Sequence, residues 1–201
     1  MLMQSEDINL WEAFLSGERE AFESIYTRHY KSLYEYGMRK LQNEELVRDY
    51  VHDLFVKLWM NRKTTGSTDN IRYYLLASFR NFIINQSTKK SNLNYVDMEE
   101  AEVFQINFNA EAESARLDQV DEQAQKVLQA LNQLSPRQKE VLYLRYFEEL
   151  EFKEIADMMD ISVKGVYKLN SRALETLRGI LDMPNSSIIS LILLLRFKGI
   201  L

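Results

Sequence analysis

Apolar residues recur every three or four positions along most of this 201-residue chain, which is the spacing of one face of an α-helix. Four such segments occupy the N-terminal part: Asp7 to Ser16, Ala21 to Leu41, Asn43 to Arg62 and Ile71 to Lys90. Only six glycines and two prolines punctuate the chain, and the alternation typical of strands does not occur. The pattern predicts an all-α protein.

The apolar positions of the second and third segments predict a shared helical core. They are Phe22, Ile25, Tyr26, Tyr30, Leu33 and Tyr34 in the second segment, and Val47, Val51, Leu54, Phe55 and Leu58 in the third. The opposite side of the third segment is mostly polar and presents Arg48, Asp49, His52, Asp53, Val56 and Lys57. The fourth segment interleaves aromatic residues with cations and amides, and we expect most of its rings to be core: Tyr73, Tyr74, Phe79 and Phe82.

Residues 152–178 have the pattern of a helix-turn-helix. The first helix repeats apolar residues at Phe152, Ile155, Ala156 and Met159, and Asp160 and Ile161 then form the turn. Ser162 can cap the second helix, whose apolar stripe is Val166, Ala173 and Leu177. This arrangement leaves the side chains suited to phosphates and base edges pointing outward: Lys164, Tyr167, Lys168, Ser171 and Arg172.

A further helix is predicted in front of this motif. Ser135 can act as its cap, Pro136 suits the first helical position, and Glu140 lies nearby. The C-terminal part therefore predicts a compact domain of three or four helices.

The net charge of −5 is unevenly distributed. Residues 97–122 contain nine acidic residues and one basic residue, Arg116, a sum of −8 that leaves +3 for the rest of the chain. We interpret residues 93–124 as an acidic linker, helical from about Ala112, between a domain at 5–92 and a domain at 125–183. A solvated spacer would explain the acidity equally well.

Residues 184–201 form an apolar C-terminal tail, in which seven of the eight residues from Ile188 to Leu195 are apolar. This run is shorter than the roughly 20 residues that span a bilayer, so we expect no membrane-spanning segment. Two interpretations remain open. The tail completes the core of the C-terminal domain, or it docks between the domains or on a partner.

Composition narrows the function classes. The chain has no cysteine, which fits a reducing cytoplasm, and the N-terminus lacks the features of a signal peptide. We find no nucleophile with a base, no glycine-rich phosphate loop and no metal-ligand cluster in the sequence, and His29 and His52 are isolated residues expected at the surface or at a cap. We therefore expect no enzyme activity, no cofactor, no metal and no small-molecule substrate.

These segments together resemble the sigma-70 family, and within it the small extracytoplasmic-function sigma factors. RDYVHDLFVKLW, from Arg48 to Trp59, resembles the polymerase-binding helix of region 2, and YYLLASFRNFIINQ resembles the promoter-facing helix of that region. The stretch from Leu134 to Leu177 resembles region 4. Asp160 replaces a frequent glycine of the family, and Asn170 replaces a usually apolar residue.

The resemblance implies a dissociable subunit that brings core RNA polymerase to promoter DNA, with an anti-sigma factor as a further partner. It implies polymerase binding through Asp49, His52, Asp53, Val56 and Lys57. The implied contacts to the −10 element are Lys63, Thr64, Thr65, Arg72, Arg80, Asn81, Asn85 and Lys89. The implied contacts to the −35 element are Ser162, Lys164, Gly165, Tyr167, Lys168, Ser171 and Arg172.

Two other function classes are weighed against this one. A stand-alone helix-turn-helix regulator with a sensing or dimerising N-terminal domain would bind duplex DNA unaided. A metal-dependent nucleotide hydrolase using Asp49 and Asp53 is disfavoured, because carboxylates one turn apart on an exposed helix face are usually solvated.

Overall fold

A computed structural model describes residues 2–93, 103–105 and 122–197, with side chains for residues 6–87, 103–105 and 126–194. The chain divides into two compact units, residues 1–101 and 102–201. The helices of the first unit are α1 Leu2–Ser16, α2 Arg19–Leu41, α3 Glu44–Asn61 and α4 Ile71–Leu93. Those of the second are α5 Glu122–Asn132, α6 Pro136–Tyr146, α7 Phe152–Met159, α8 Val163–Leu181 and α9 Asn185–Phe197. The described residues contain no strand, so the all-α prediction is confirmed.

In the N-terminal unit, α2 packs against α1, α3 and α4. Asn43 caps α3 by accepting a hydrogen bond from the Leu46 N–H, and Gln42 ends α2 in the left-handed conformation at φ 51°. The predicted stripe of α3 is confirmed, because all five of its residues are buried. Tyr50 joins them.

The prediction for α2 was wrong in part. Ile25 and Leu33 are buried, but the stripe continues through Ala21, His29 and Tyr36, and Tyr26 is exposed. The difference arises because an isolated histidine is expected at the surface, whereas His29 lies one helical turn after Ile25 and continues the buried stripe. Buried His29 lies in the middle of the helix stripe, whereas His52 is exposed, as expected.

In the C-terminal unit, α8 packs against each of the other four helices. Ser135 caps α6, and its partner in the capping box is the side chain of Gln138, which accepts from the Ser135 N–H. Glu140, which follows two residues later, is buried. On α8, Asn170 is 8% exposed. Its Oδ1 lacks a hydrogen-bond partner, so this polar residue places an unpaired acceptor in the core where the family usually has an apolar side chain.

The apolar tail forms most of α9, which packs against α5, α6 and α8. Ile188 and Ile192 are fully buried there. This packing agrees with the first interpretation of the tail, in which it completes the core of the C-terminal unit. No single helix among those described is long and apolar enough to cross a membrane. Helix α8 and the segment Asn185–Leu194 are together long and apolar enough, but the chain bends by 93° between them.

A described residue of the acidic linker, Phe104, belongs to a core. Phe104 is 1% exposed, and its ring centroid lies 5.6 Å from that of Tyr143 on α6. A purely solvated spacer is therefore ruled out at this position. The helix predicted from about Ala112 lies, as far as residue 121, outside the part of the chain that the structure describes.

Candidate polymerase and promoter interfaces

The turn of the helix-turn-helix is built as the sequence predicts. Asp160 ends α7 in the left-handed conformation at φ 53°, which aspartate tolerates better than most residues other than glycine. Ser162 caps α8, its hydroxyl accepting a hydrogen bond of 3.1 Å from the Gly165 N–H. A Cβ on Gly165 would lie 3.3 Å from that hydroxyl, so the small residue leaves room for the cap.

The outward face of α8 carries the predicted −35 side chains. Val166, Ala173 and Leu177 are buried against the unit. The residues on the other side are exposed: Lys164, Tyr167, Lys168, Ser171 and Arg172. Three cations without an acidic residue among them form a surface suited to the phosphates and base edges of a major groove.

An aromatic contact joins the two helices of the motif beside this surface. The Tyr167 ring lies 4.3 Å from the ring of Phe152 at the start of α7, and the Arg145 guanidinium lies 4.8 Å from the Phe152 centroid. Arg145 also donates to the Leu150 carbonyl. Arg145 is not among the predicted site residues, since a residue of the preceding helix gives no periodic signal of its place beside the turn.

The exposed side of α3 carries the predicted polymerase-binding residues. Asp49, His52, Asp53, Val56 and Lys57 are all exposed. Val56 is an apolar residue among charges, and Met60 lies one turn further along the same helix at 71% exposure. An apolar centre with a charged rim is typical of protein interfaces.

A groove of about 340 Å³ lies between α3 and α4 in the N-terminal unit. Three predicted −10 residues line it, namely Thr65, Asn81 and Asn85. It is also lined by residues that the sequence analysis did not assign to DNA: Leu54, Lys57, Leu58, Asn61, Tyr74, Leu75, Ser78 and Phe82. The Lys57 ammonium lies 4.0 Å from the Phe82 centroid, so this lysine faces the groove as well as the polar side of α3. Amides, hydroxyls, aromatic rings and a cation thus meet in one groove.

The loop from Arg62 to Asn70 is held beside this groove by hydrogen bonds. Trp11 donates from its indole to the Gly66 carbonyl at 2.9 Å, and the Asp7 carboxylate accepts from the Ile71 N–H at 3.2 Å. The hydroxyls of Thr64 and Thr65 both donate to the Asn61 carbonyl. Helix α1 therefore fixes the loop that carries Lys63, which is exposed.

The remaining predicted −10 residues lie elsewhere on α4. Arg72 and Arg80 are half-buried and are not part of the groove lining, and the side chain of Lys89 lies outside the described ones. Arg72 acts on His29: burial and then the positive charge of Arg72 lower the pKa of His29 from 6.5 to about 4. His29 is therefore neutral at pH 7. Among the described residues no group of three or more histidines and carboxylates could hold a metal ion.

Comparison with known proteins shows which proteins this chain resembles. The family described as Sigma-70, region 4, matches residues 124–177. The chain is 24% identical over 161 residues to the RNA polymerase sigma factor YlaC of Bacillus subtilis, a match that covers 77% of this chain and 88% of that protein. It is 23% identical over 167 residues to the ECF RNA polymerase sigma factor SigW of the same organism, covering 81% and 89%. The C-terminal unit thus matches region 4 of the sigma-70 family, and the chain as a whole is similar to sigma factors, one of them an extracytoplasmic-function sigma factor.

A solved structure supports the fold of this chain. It is that of the sigma factor RpoE in complex with the anti-sigma factor NepR from Bartonella quintana, with a TM-score of 0.56 and 20% identity, covering 81% of this chain and 97% of that one. The region 4 match contains the whole of α7 and most of α8. The relatives are sigma factors, which are transcription factors.

Proposed function

We propose that this chain is the dissociable initiation subunit that directs core RNA polymerase to a set of promoters, reading the −35 element with α8 and the −10 element with the groove between α3 and α4. The observation that carries the proposal is the set of exposed cations on α8, held by a capped turn within the matched region 4. The chain itself supplies no catalysis in this account, and it acts in the cytoplasm, where polymerase and DNA meet.

The −35 contact follows from the geometry of α8. Ser162, Lys164 and Gly165 are at the N-terminus of the helix, where the helix dipole and a lysine favour a phosphate. Lys168 lies one turn further along the exposed face and can reach a base edge, while Arg172, one turn beyond it, can reach a phosphate. Tyr167 and Ser171 complete the contact surface beside them.

The groove of the N-terminal unit suits a base that has left the duplex. Tyr74 and Phe82 offer rings for stacking, and Thr65, Asn81 and Asn85 offer hydrogen-bond groups for a base edge. Extruding a base costs a few kcal/mol, least at weakly paired steps, so a groove that binds it favours promoters that melt easily. Lys63, Thr64, Arg72, Arg80 and Lys89 then contribute to holding the backbone.

The exposed side of α3 is the proposed docking site for core polymerase. Asp49, His52 and Asp53 provide a polar rim around Val56. Lys57 is shared between this side and the groove, so docking and −10 binding meet on one helix.

An anti-sigma factor is the proposed regulator of this chain. The similar structure contains such a partner bound to a sigma factor. A protein that covers α3 would prevent polymerase from docking there.

Equilibrium binding to labelled promoter duplex separates this proposal from the stand-alone regulator. We expect fluorescence anisotropy to show specific binding only when core polymerase is present. The variant Lys164→Ala with Lys168→Ala should lose that binding, whereas Arg178→Ala, at an exposed cation beyond the proposed surface, should keep most of it. Specific binding of the free chain at physiological salt would contradict the proposal.

A further inference from the structure

Trp11 of α1 contacts the groove between α3 and α4 from behind. Its side chain is 1% exposed and does not line the groove. Its indole N–H nevertheless donates at 2.9 Å to the carbonyl of Gly66, an exposed residue of the loop beside the groove. Leaving a buried donor without its partner is costly, so this hydrogen bond resists displacement of the loop.

Trp11 acts on two walls of the groove at once. Gly66 directly follows Thr65, which lines the groove and whose hydroxyl donates to the Asn61 carbonyl at 3.0 Å. The Trp11 ring also lies 4.9 Å from the ring of Tyr74, edge-on at 60°, and Tyr74 lines the groove from α4. Aromatic pairs prefer such an edge-on arrangement, so the contact favours one orientation of Tyr74. A hydrogen-bonding group and a stacking ring therefore depend on the same buried side chain.

A second hydrogen bond from α1 fixes the start of α4. Asp7 lies one turn before Trp11, and its carboxylate accepts from the Ile71 N–H at 3.2 Å. Ile71 is the first residue of α4, where backbone N–H groups have no partner within the helix. Tyr74 follows three residues later, in the first turn. Helix α1 thus holds both the loop at Gly66 and the helix start from which Tyr74 projects.

We propose that Trp11 and Asp7 are positioning residues for −10 recognition: without touching DNA, they hold Thr65 and Tyr74 in the arrangement that binds an extruded base. This inference rests on the proposed function, since that function assigns the groove to the −10 element. A loop released from α1 must be ordered by the base itself, so the loss appears as weaker binding of that base. Binding of DNA by the helix-turn-helix is not affected, because that motif belongs to the other unit.

An abasic scan distinguishes positioning from a general loss of stability. The probe is a labelled single-stranded oligonucleotide with the −10 sequence that transcript 5′ ends define, bound by the complex of the full chain with core polymerase. Each position in turn is replaced by an abasic site, and the replacement that weakens binding of the wild-type complex most marks the extruded base. Each variant is then measured by anisotropy on the intact oligonucleotide and on that abasic one.

Two variants remove the support from α1. Trp11→Phe keeps a ring beside Tyr74 but removes the N–H donor, and Asp7→Ala removes the acceptor at Ile71. We expect each to weaken binding of the intact oligonucleotide about 3- to 10-fold, the value of one intramolecular hydrogen bond. Each should bind the abasic oligonucleotide as the wild type does, because the base that needs the ordered groove is missing from it.

Phe22→Leu is the matched control for packing in the N-terminal unit. The Phe22 ring lies 6.0 Å from that of Phe14 and 5.0 Å from that of Trp59, in the same aromatic cluster as Trp11, but Phe22 is not part of the groove lining. This variant should bind both oligonucleotides as the wild type does. All affinities are measured at a temperature at which circular dichroism shows every chain to be folded.

The outcomes separate the positioning role from the proposed function. Wild-type affinity of Trp11→Phe for the intact oligonucleotide, or an equal loss on the intact and abasic ones, would overturn the role of Trp11, and the same results for Asp7→Ala would overturn that of Asp7. Either result leaves the groove as the −10 site. A wild-type complex that is insensitive to every abasic replacement would instead remove that use of the groove, and the positioning role with it. Should Trp11→Phe not fold, Asp7→Ala, at a half-exposed position, decides for α1.

Discussion

The ring of Tyr167, on the exposed face of α8, lies 4.3 Å from the ring of Phe152 at the start of α7. Tyr167 is 53% exposed, so the contact orients a side chain that remains available to DNA. Orientation by an aromatic pair is worth about 0.5 to 1.5 kcal/mol. We therefore expect Phe152→Ala to weaken binding of the polymerase complex to a −35 element about 2- to 10-fold, measured by anisotropy, and Phe152→Tyr to retain most of it. Equal affinity of the alanine variant and wild type would show that Tyr167 needs no such support.

Lys168 and Arg172 should differ in what they read. Arg172→Ala should weaken binding to all promoter sequences alike and reduce the salt slope of log affinity by about one unit, because it removes a phosphate contact. Lys168→Ala should cost about 1 to 3 kcal/mol and relax sequence choice at one position, because it removes a base contact. Affinities for a panel of single-substitution promoters at several salt concentrations separate the two. Unchanged relative affinities across the panel in the Lys168 variant would contradict its assignment to a base.

Charge reversal on α3 should weaken polymerase docking. Asp49 and Asp53 are exposed and lie off the buried stripe, so Asp49→Lys with Asp53→Lys should leave the helix content measured by circular dichroism unchanged. We expect at least a 10-fold weaker affinity for core polymerase in a direct binding titration, because the loss of two favourable charges and the gain of two unfavourable ones costs more than about 1.4 kcal/mol. Glu6→Lys with Glu12→Lys makes the same change of charge on exposed positions of α1 and should bind as wild type does. Similar losses in both double variants would attribute the effect to net charge rather than to the docking site.

The helix-turn-helix shows how far the sequence determines the fold. Asp160 and Ser162 carry local chemistry, left-handed backbone and side-chain capping, that needs no tertiary partner, and both adopt the predicted roles. Phe104 had no such signal, because the acidic residues around it carry no helical period and its partner Tyr143 is 39 positions away. The burial of His29 was not predicted for a related reason, since only the packing of α2 shows that the middle of its apolar stripe is shielded from water. In the groove, Lys57 and Phe82 meet from different helices, a pairing that periodicity within one helix cannot reveal.

Burial of His29 should make the stability of the N-terminal unit depend on pH. Its pKa is about 4 in the folded chain against 6.5 in the unfolded one, so the unfolded state binds the proton first as pH falls. The unit should therefore lose about 3 kcal/mol of unfolding free energy between pH 6.5 and pH 4, from this group alone. Urea unfolding followed by tryptophan fluorescence reports on this unit, because both tryptophans, Trp11 and Trp59, are in it.

The control for that measurement is His29→Leu, which removes the titrating group while keeping the site apolar. Its unfolding free energy should fall less steeply over the same interval, the remaining slope coming from carboxylates. Parallel pH profiles of the two chains would show that His29 is not protonated selectively in the unfolded state.

Transcription reconstituted from purified components tests the central claim most directly. Core RNA polymerase from the source organism, this chain and fragmented genomic DNA from that organism would be combined, and the 5′ ends of the transcripts sequenced. The account predicts start sites that appear only when the chain is added, that share one −35 and one −10 sequence, and that disappear with the Lys164→Ala, Lys168→Ala variant. Transcripts that do not depend on the chain, or chain-dependent starts that share no such pair of elements, would contradict it.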